Sequence, residues 1–590
     1  MGSIDPHSFS QPGSGSIQHI DLHLVPDFES RTVKVRSRYT LDRPLSGELH
    51  LDGSDLHIER IHSGRGPLHW SVVEQDPIRG QHLVLAGLDN LRSFEVDLTT
   101  SPQAGALQWL NPEMTTGGRL PYLYSQCQAI RARSIFPCQD TPSVRFTYRA
   151  TIETHDKLTP VMAAKPLGSE SRDGRTLHTF VMEQPIPSYL FAFAVGDLRF
   201  RPLGQRTGVY AEPAILEAAC WEFAETELIL QAAEALFGAY AWERYDLLIM
   251  PPSFPTCGME NPRLTFTSPT VIVGDRSEID LVAHELAHAW TGNLVTNATW
   301  EDLWLNEGWT TYAERRILEV LRGEDFANLL SKLSMASLMA DLRRFGPGSD
   351  RTKLKASLTG VDPDEAFSDV PYVKGHYFLV ALEQAVGRAT FDSFLRDYIW
   401  TNRFRTMTTE AFADTVRRSL PSAAAKIDLE RWLYAPGLPA DAPVLRSPLY
   451  DDVLSVLELY RQGRWPAEPQ LTSWSPLQAR TLLWELPDKI PAQDCARFAA
   501  LLRVDQSRSA ALLGRFLQIA IRSGWKQALP SVERLLASVG RELVVVPLYR
   551  AMAETEWSRP LVRELYRRNQ AAYHPVIREL VLRALAEADV

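Results

Sequence analysis

Apolar and polar positions alternate early in the chain and recur with helical spacing later. Val33 to Leu41 and Ser46 to Leu51 alternate with period two, and Asp52-Gly53 and Asp173-Gly174 punctuate the runs as turns. This texture holds from about Ile17 to Phe200 and predicts a β-sandwich or a large curved sheet. From about Ala211 helical spacing takes over, in Ala214 to Phe237, Ser277 to Thr291 and Glu307 to Leu321. Tyr434 to Pro448 is rich in Pro and Gly and reads as a linker or a wrapped crossing strand. Leu449 to Val590 is nearly all amphipathic helix with short breaks, the texture of a solenoid but without a clean repeat period. Met1 to Ser16, rich in Gly, Ser and Pro, is expected to be a flexible tail.

Composition narrows the function classes. At 590 residues the chain is too long for a single small binding module. A net charge of −10 argues against a nucleic-acid partner, which needs a basic face for the phosphates. No run of apolar residues is long enough to span a bilayer; Tyr189 to Val195 is strand-sized. The five cysteines, Cys127, Cys138, Cys220, Cys257 and Cys495, form no CxxC pair. They suggest neither a disulfide scaffold nor a cysteine zinc site. With no basic region followed by an apolar run at the N-terminus, a cytoplasmic protein is expected.

The sharpest chemical signal is His284-Glu285-Leu286-Ala287-His288. Two histidines four apart on a helix converge on one ion, and neutral imidazoles suit zinc. Ser277 is expected to cap this helix, with Glu278 and Asp280 in its first turn and Gly292 past its end. HExxH also arises by chance, so the assignment rests on a third ligand. Glu307 stands nineteen residues after His288, at the expected start of the next helix, and two antiparallel helices can bring it against the histidines. Glu285 cannot share the ligand face well but can approach a water at the fourth position and take its proton. Glu314, two turns beyond Glu307, either accepts the free N–H of a zinc imidazole or pairs with Arg315 or Arg316.

HELAH followed by 18 residues and Asn306-Glu307-Gly308, with Gly258-Met259-Glu260-Asn261-Pro262 upstream, resembles the gluzincin aminopeptidases. The branch holding leukotriene A4 hydrolase and aminopeptidase B is the nearer likeness. It is carried by Ser125-Gln126-Cys127-Gln128-Ala129, Pro137 to Ser143, Trp290 to Thr296, Val370 to Gly375, Trp432 to Pro439 and His574-Pro575. The resemblance implies a multi-domain α+β protein. Its parts would be an N-terminal β saddle (17–202), a thermolysin-like catalytic domain (203–447) and a C-terminal helical superhelix (448–590). It also implies one zinc on His284, His288 and Glu307, with Glu285 as general base. Glu260, assisted by Gln128, would bind the substrate's α-ammonium, and Tyr372 would hydrogen-bond the oxyanion. Gly258 and Met259 would line the substrate as an extended edge.

The chain departs from that pattern near the expected pocket. Cys257 stands where the family usually has glycine, Thr256 and Phe367 where leukotriene A4 hydrolase has tyrosines, and Leu543 where it has a lysine. Asp364 and Arg541 are retained. Asp364 motivates an expected preference for Arg or Lys at the substrate N-terminus, and Arg541 would hold a substrate carboxylate. The reading is a soluble zinc aminopeptidase acting on peptides with a free N-terminus, with a monomer favoured over an oligomer. An epoxide hydrolase, alone or as a side activity, and a non-catalytic peptide-binding scaffold are the rivals.

Overall fold

The computed structural model describes residues 5–465, 471 and 473–589. The alternating N-terminal segments form a large sheet that runs Lys165–Arg172, Arg175–Pro187, Arg145–His155, Ile17–Asp27, Thr32–Gly53, Gly80–Thr100, Leu56–Ser63, Gly66–Pro67. Its pairs are antiparallel except Ile17–Asp27 with Arg145–His155. Ile17, Ile20, Leu22 and Leu24 point into the core while Gln18, Asp21 and Asp27 face solvent, as a sheet with one wetted face requires. Phe193–Gly196 and Tyr122–Ser125 pair at the centre of a second, smaller sheet.

The middle of the chain packs helices behind a mixed sheet ordered Arg199–Pro202, Thr207–Ala211, Tyr245–Ile249, Leu264–Thr267, Gly258–Met259. The expected helix over Ala214 to Phe237 is two, Leu216–Glu222 and Thr226–Phe237. Beyond Pro448 the helices Pro448–Arg461, Pro476–Glu485, Ala492–Leu501, Ala510–Arg522, Leu529–Ser538, Glu542–Glu554, Arg559–Asn569 and Pro575–Glu587 follow one another. The sheet and the helical middle share one continuous apolar core, whereas the C-terminal helices build a second of their own. Aromatic packing is dense around the helix Trp304–Arg322. There Trp309 stacks on Phe391 and Tyr398, and Trp304 meets Phe378 and Phe412.

The N-terminal tail corrects one expectation. Residues 5–16 are packed, not free. His7 is buried, with Nε2 3.0 Å from the Val361 carbonyl, and the Phe9 amide donates to Asp52 at 2.7 Å. Phe9 stacks on His82 and lies under Arg79. Gly, Ser and Pro content suggested flexibility. The buried Asp52, Arg133 and Asp140 need partners, and this strap supplies several, including the His7 carbonyl to Arg133 at 2.9 Å.

Lys374 is buried without a carboxylate. Its Nζ donates to the carbonyls of Thr352 and Ala435, both at 2.9 Å, and so ties the Tyr372 turn to two neighbouring loops. Burial pushes its pKa down to about 7. Between that value and the ordinary lysine pKa the unfolded chain binds a proton that the folded chain does not, so stability rises with pH across this window. Urea midpoints of the wild type are expected to gain on those of Lys374→Met from pH 7 to pH 9.5. A constant difference between the two would refute a neutralised lysine.

Candidate metal and peptide site

The HELAH helix spans Asp280–Ala287, with His288 in helical conformation at its end. Ser277 does not cap it. Ile279 occupies the cap position without a side-chain bond, and Glu278 reaches instead to Ser509 of the C-terminal helices. The second helix spans Trp304–Arg322, so Glu307 lies in its first turn, not at its start. His284 Nε2 and His288 Nε2 are 3.3 Å apart, and each is 3.4 Å from Glu307 Oε2.

Three further side chains and a glycine hold this triangle. His284 Nδ1 lies 3.1 Å from Glu314 Oε2, and Glu314 is also paired with Arg315. Glu314 thus meets the His284 ring and Arg315 at once, and its ion pair is buried where an exposed one was expected. Thr310 donates its hydroxyl proton to the Thr291 carbonyl at 2.5 Å, leaving its oxygen to accept from His288 Nδ1 at 3.1 Å. With both Nδ1 atoms engaged by these partners, the neutral rings direct both Nε2 lone pairs to the centre of the triangle. Sequence reading missed Thr310. Its position three residues after Glu307, on the same helix face as Glu314, was the available signal. A Cβ on Gly292 would run into His288 Nδ1 and Asn306.

Two imidazole nitrogens and a carboxylate oxygen converge on one point, and among the described residues Glu307 Oε2 is buried without a hydrogen-bond partner. That arrangement is satisfied by a cation. A tetrahedral ion with bonds of about 2.0–2.1 Å separates its ligands by about 3.3–3.4 Å, which the observed triangle matches. Burial alone would lift Glu307, but the histidines outweigh it and hold its carboxyl down to about 2. Burial lowers the histidines' own pKa values, and Glu307 reverses the sign for both.

Glu285 faces the opposite side, toward the edge strand Gly258–Met259. A Cβ on Gly258 would overlap its carboxylate, so glycine is required for this approach. Oε2 of Glu285 is buried without a partner, and burial pushes the group up to about 7. Glu260 follows the edge strand directly. Its Oε1 accepts from Gln128 Nε2 at 3.1 Å, and burial raises its pKa. Carboxylate oxygens of Glu260 and Glu285 and a nitrogen of His288 lie within 4.8 Å of one another.

Tyr372 sits in a turn of π-helix, Val370–Lys374, with its ring stacked on His284. Such turns recur at functional sites because they displace one side chain from the helical register. Burial, with Glu307, Glu260 and Glu285 nearby, keeps the phenol protonated and able to donate. Gly308 and Gly375 cross at van der Waals contact, where a Cβ on either would meet the other's backbone at 2.8 Å. This close crossing brings the Tyr372 turn onto the Glu307 helix.

The remaining expected residues lie around this cluster, but not all face it. Cys257 is half-buried, and desolvation pushes its thiol up to about 11, away from the thiolate form. Thr256 is exposed and donates to the Gly258 carbonyl. Arg541 is buried at the start of Glu542–Glu554, which docks on the loop before Cys257 through Gly540 N to Pro252 O and Glu542 N to Pro255 O. Its Nε has no hydrogen-bond partner among the described residues. Leu543 is 69% exposed, and Phe367 packs on Trp300. Asp364 is paired with Arg131, whose guanidinium also donates to the Gln128 carbonyl.

Fold and site together define a metallopeptidase. Residues 16–190 match the peptidase M1 N-terminal domain, 221–432 the peptidase family M1 domain and 474–585 the leukotriene A4 hydrolase C-terminal domain. Leukotriene A-4 hydrolase of Xenopus laevis is 37% identical, covering 98% of this chain and 99% of the relative. Leucine aminopeptidase 2 of Sclerotinia sclerotiorum is 35% identical, covering 99% of this chain and all of the relative. The structure of yeast LTA4 hydrolase in complex with bestatin superposes with a TM-score of 0.91 at 31% identity, covering 99% of this chain and 97% of that one. The chain belongs to peptidase family M1, whose three-part architecture it shares, and is a zinc-dependent enzyme of that family.

Proposed function

We propose that this chain removes single residues from the free N-terminus of peptides, with His284, His288 and Glu307 as the zinc ligands. The observation that carries the reading is the pair of buried carboxylates, Glu260 and Glu285, flanking one short edge strand beside those ligands. Zinc bound there supplies a Lewis acid that polarises the scissile carbonyl and makes a water acidic near neutral pH. Glu260 takes the substrate's α-ammonium by a charge-assisted bond. Gln128 donates its amide hydrogens to Glu260, so its oxygen is left for the same ammonium. Glu285 accepts the proton of the attacking water and delivers it to the leaving amine. Tyr372 donates to the oxyanion. Gly258–Met259 is the last strand of its sheet, so its outer edge offers backbone groups to an extended peptide. Arg541 is assigned the far carboxylate of short peptides.

Among the described residues no helix is long and apolar enough to cross a membrane, and all five cysteines are free. A monomer in the reducing cytoplasm suits both. A second reading, hydration of a lipid epoxide, takes its support from the name of the Xenopus laevis relative; fatty epoxide hydration measured beside peptide cleavage separates the two.

The test is a panel of aminoacyl-anilides with and without chelator. Release is expected from free-amine substrates, abolished by chelator and absent for N-acetylated ones. In Glu260→Ala, KM for free-amine substrates is expected to rise by about tenfold or more, since a hydrogen bond to a charged group is worth about 1.5–3 kcal/mol. The preference over N-acetylated substrates should shrink with it. Unchanged KM and selectivity would remove Glu260 from the ammonium site.

A further inference from the structure

Beside the proposed ammonium site the chain carries a third carboxylate, Asp364, in the turn Pro363–Ala366. It lies against the backbone N–H of Ala129, the residue after Gln128; on the aminopeptidase reading that places it beside the bound first residue. A free carboxylate here would recruit a basic side chain. It is not free. Arg131 Nη2 pairs with Asp364 Oδ2, and Arg131 Nη1 donates to the Gln128 carbonyl. One guanidinium thus bridges the segment that carries Gln128 and the turn that carries Asp364. Both side chains of the pair stay partly open, at 27% and 38% exposure, so the pair forms part of a wall and is not sealed in the core.

From this arrangement we infer that Arg131 is a specificity-determining residue, masking Asp364 so that the enzyme takes peptides whose first side chain is uncharged. The inference rests on the aminopeptidase reading above and reverses the basic preference that Asp364 alone suggests. An incoming arginine would have to displace a guanidinium already tethered three residues from Gln128. It would leave Arg131 unpaired and place two like charges together. Two further acids sense Asp364: Asp362, which accepts from the Asp364 backbone N–H at 2.9 Å, and Glu542. Glu542 has Arg344 nearby.

The experiment compares kcat/KM for Leu- and Arg-anilides in the zinc-loaded wild type, Arg131→Leu, Arg131→Lys and Arg131→Leu/Asp364→Asn. The wild type is expected to prefer Leu. Arg131→Leu is expected to shift the Arg/Leu ratio toward Arg by about tenfold or more, the scale of one charge-assisted hydrogen bond. Arg131→Lys, which keeps the positive charge, should stay near the wild type, and the double variant should lose the gain. A wild type that prefers Arg overturns the inference. So does an Arg131→Leu enzyme that cleaves Leu-anilide yet keeps the wild-type ratio. Hydrolysis of neither anilide by zinc-loaded wild type would overturn the aminopeptidase reading itself, and the inference with it.

Discussion

Glu285→Gln is expected to keep one zinc per chain and lose about 100- to 10,000-fold in kcat, the range for a positioned general base. Glutamine preserves the shape that Gly258 accommodates, and Glu285 is not one of the three converging ligands. What disappears, on the proposed mechanism, is the group that takes and returns the proton. The same carboxylate sets a pH limb. It works ionised, so kcat/KM falls as pH drops through its pKa, which burial lifts to about 7 in the metal-free cleft. A bound cation favours the ionised form, so the limb in the zinc enzyme is expected below pH 7. Turnover within tenfold of the wild type, at equal zinc content, would remove Glu285 from the role.

Tyr372→Phe is the second large effect. The ring stacked on His284 remains, the turn of π-helix is undisturbed, and only the hydroxyl goes. Loss of one oxyanion donor costs about 100- to 1,000-fold in kcat. Because the donor acts on charge that develops in the transition state, KM should move little. A matching rise in KM with kcat preserved would make Tyr372 a ground-state contact instead.

The convergence of His284, His288 and Glu307 was legible because two histidines four apart on a helix share a face and a carboxylate at the start of the next helix can reach them; the family likeness pointed to Glu260 and Tyr372. The helical and sheet textures also located the two folding regimes. What escaped depended on contacts across the chain. Thr310 was overlooked because helical spacing placed it near Glu307 and Glu314 but did not show that Thr291 takes its proton and His288 meets its oxygen. Ser277 resembled a cap, but the helix begins two residues beyond Glu278, which is drawn off to Ser509. The first residues read as loose because composition does not reveal that Asp52 and Arg133 lie waiting for them. Arg131 carried no signal in the sequence. Its pairing with Asp364 spans 233 positions, beyond the reach of any local pattern.

The division of the apolar interior has a consequence for how the chain fails. The saddle and the metal-bearing region share one core, so neither can loosen without the other. The C-terminal helices have their own core and meet the catalytic side partly through backbone bonds from Gly540 and Glu542 to the 252–255 loop. Arg541 stands between those two bonds, at a seam between cooperative units. The three converging metal ligands belong to the first unit and Arg541 to the second. On the role proposed for Arg541, strain at the seam erodes the hold on a peptide's far carboxylate before it touches the metal ligands.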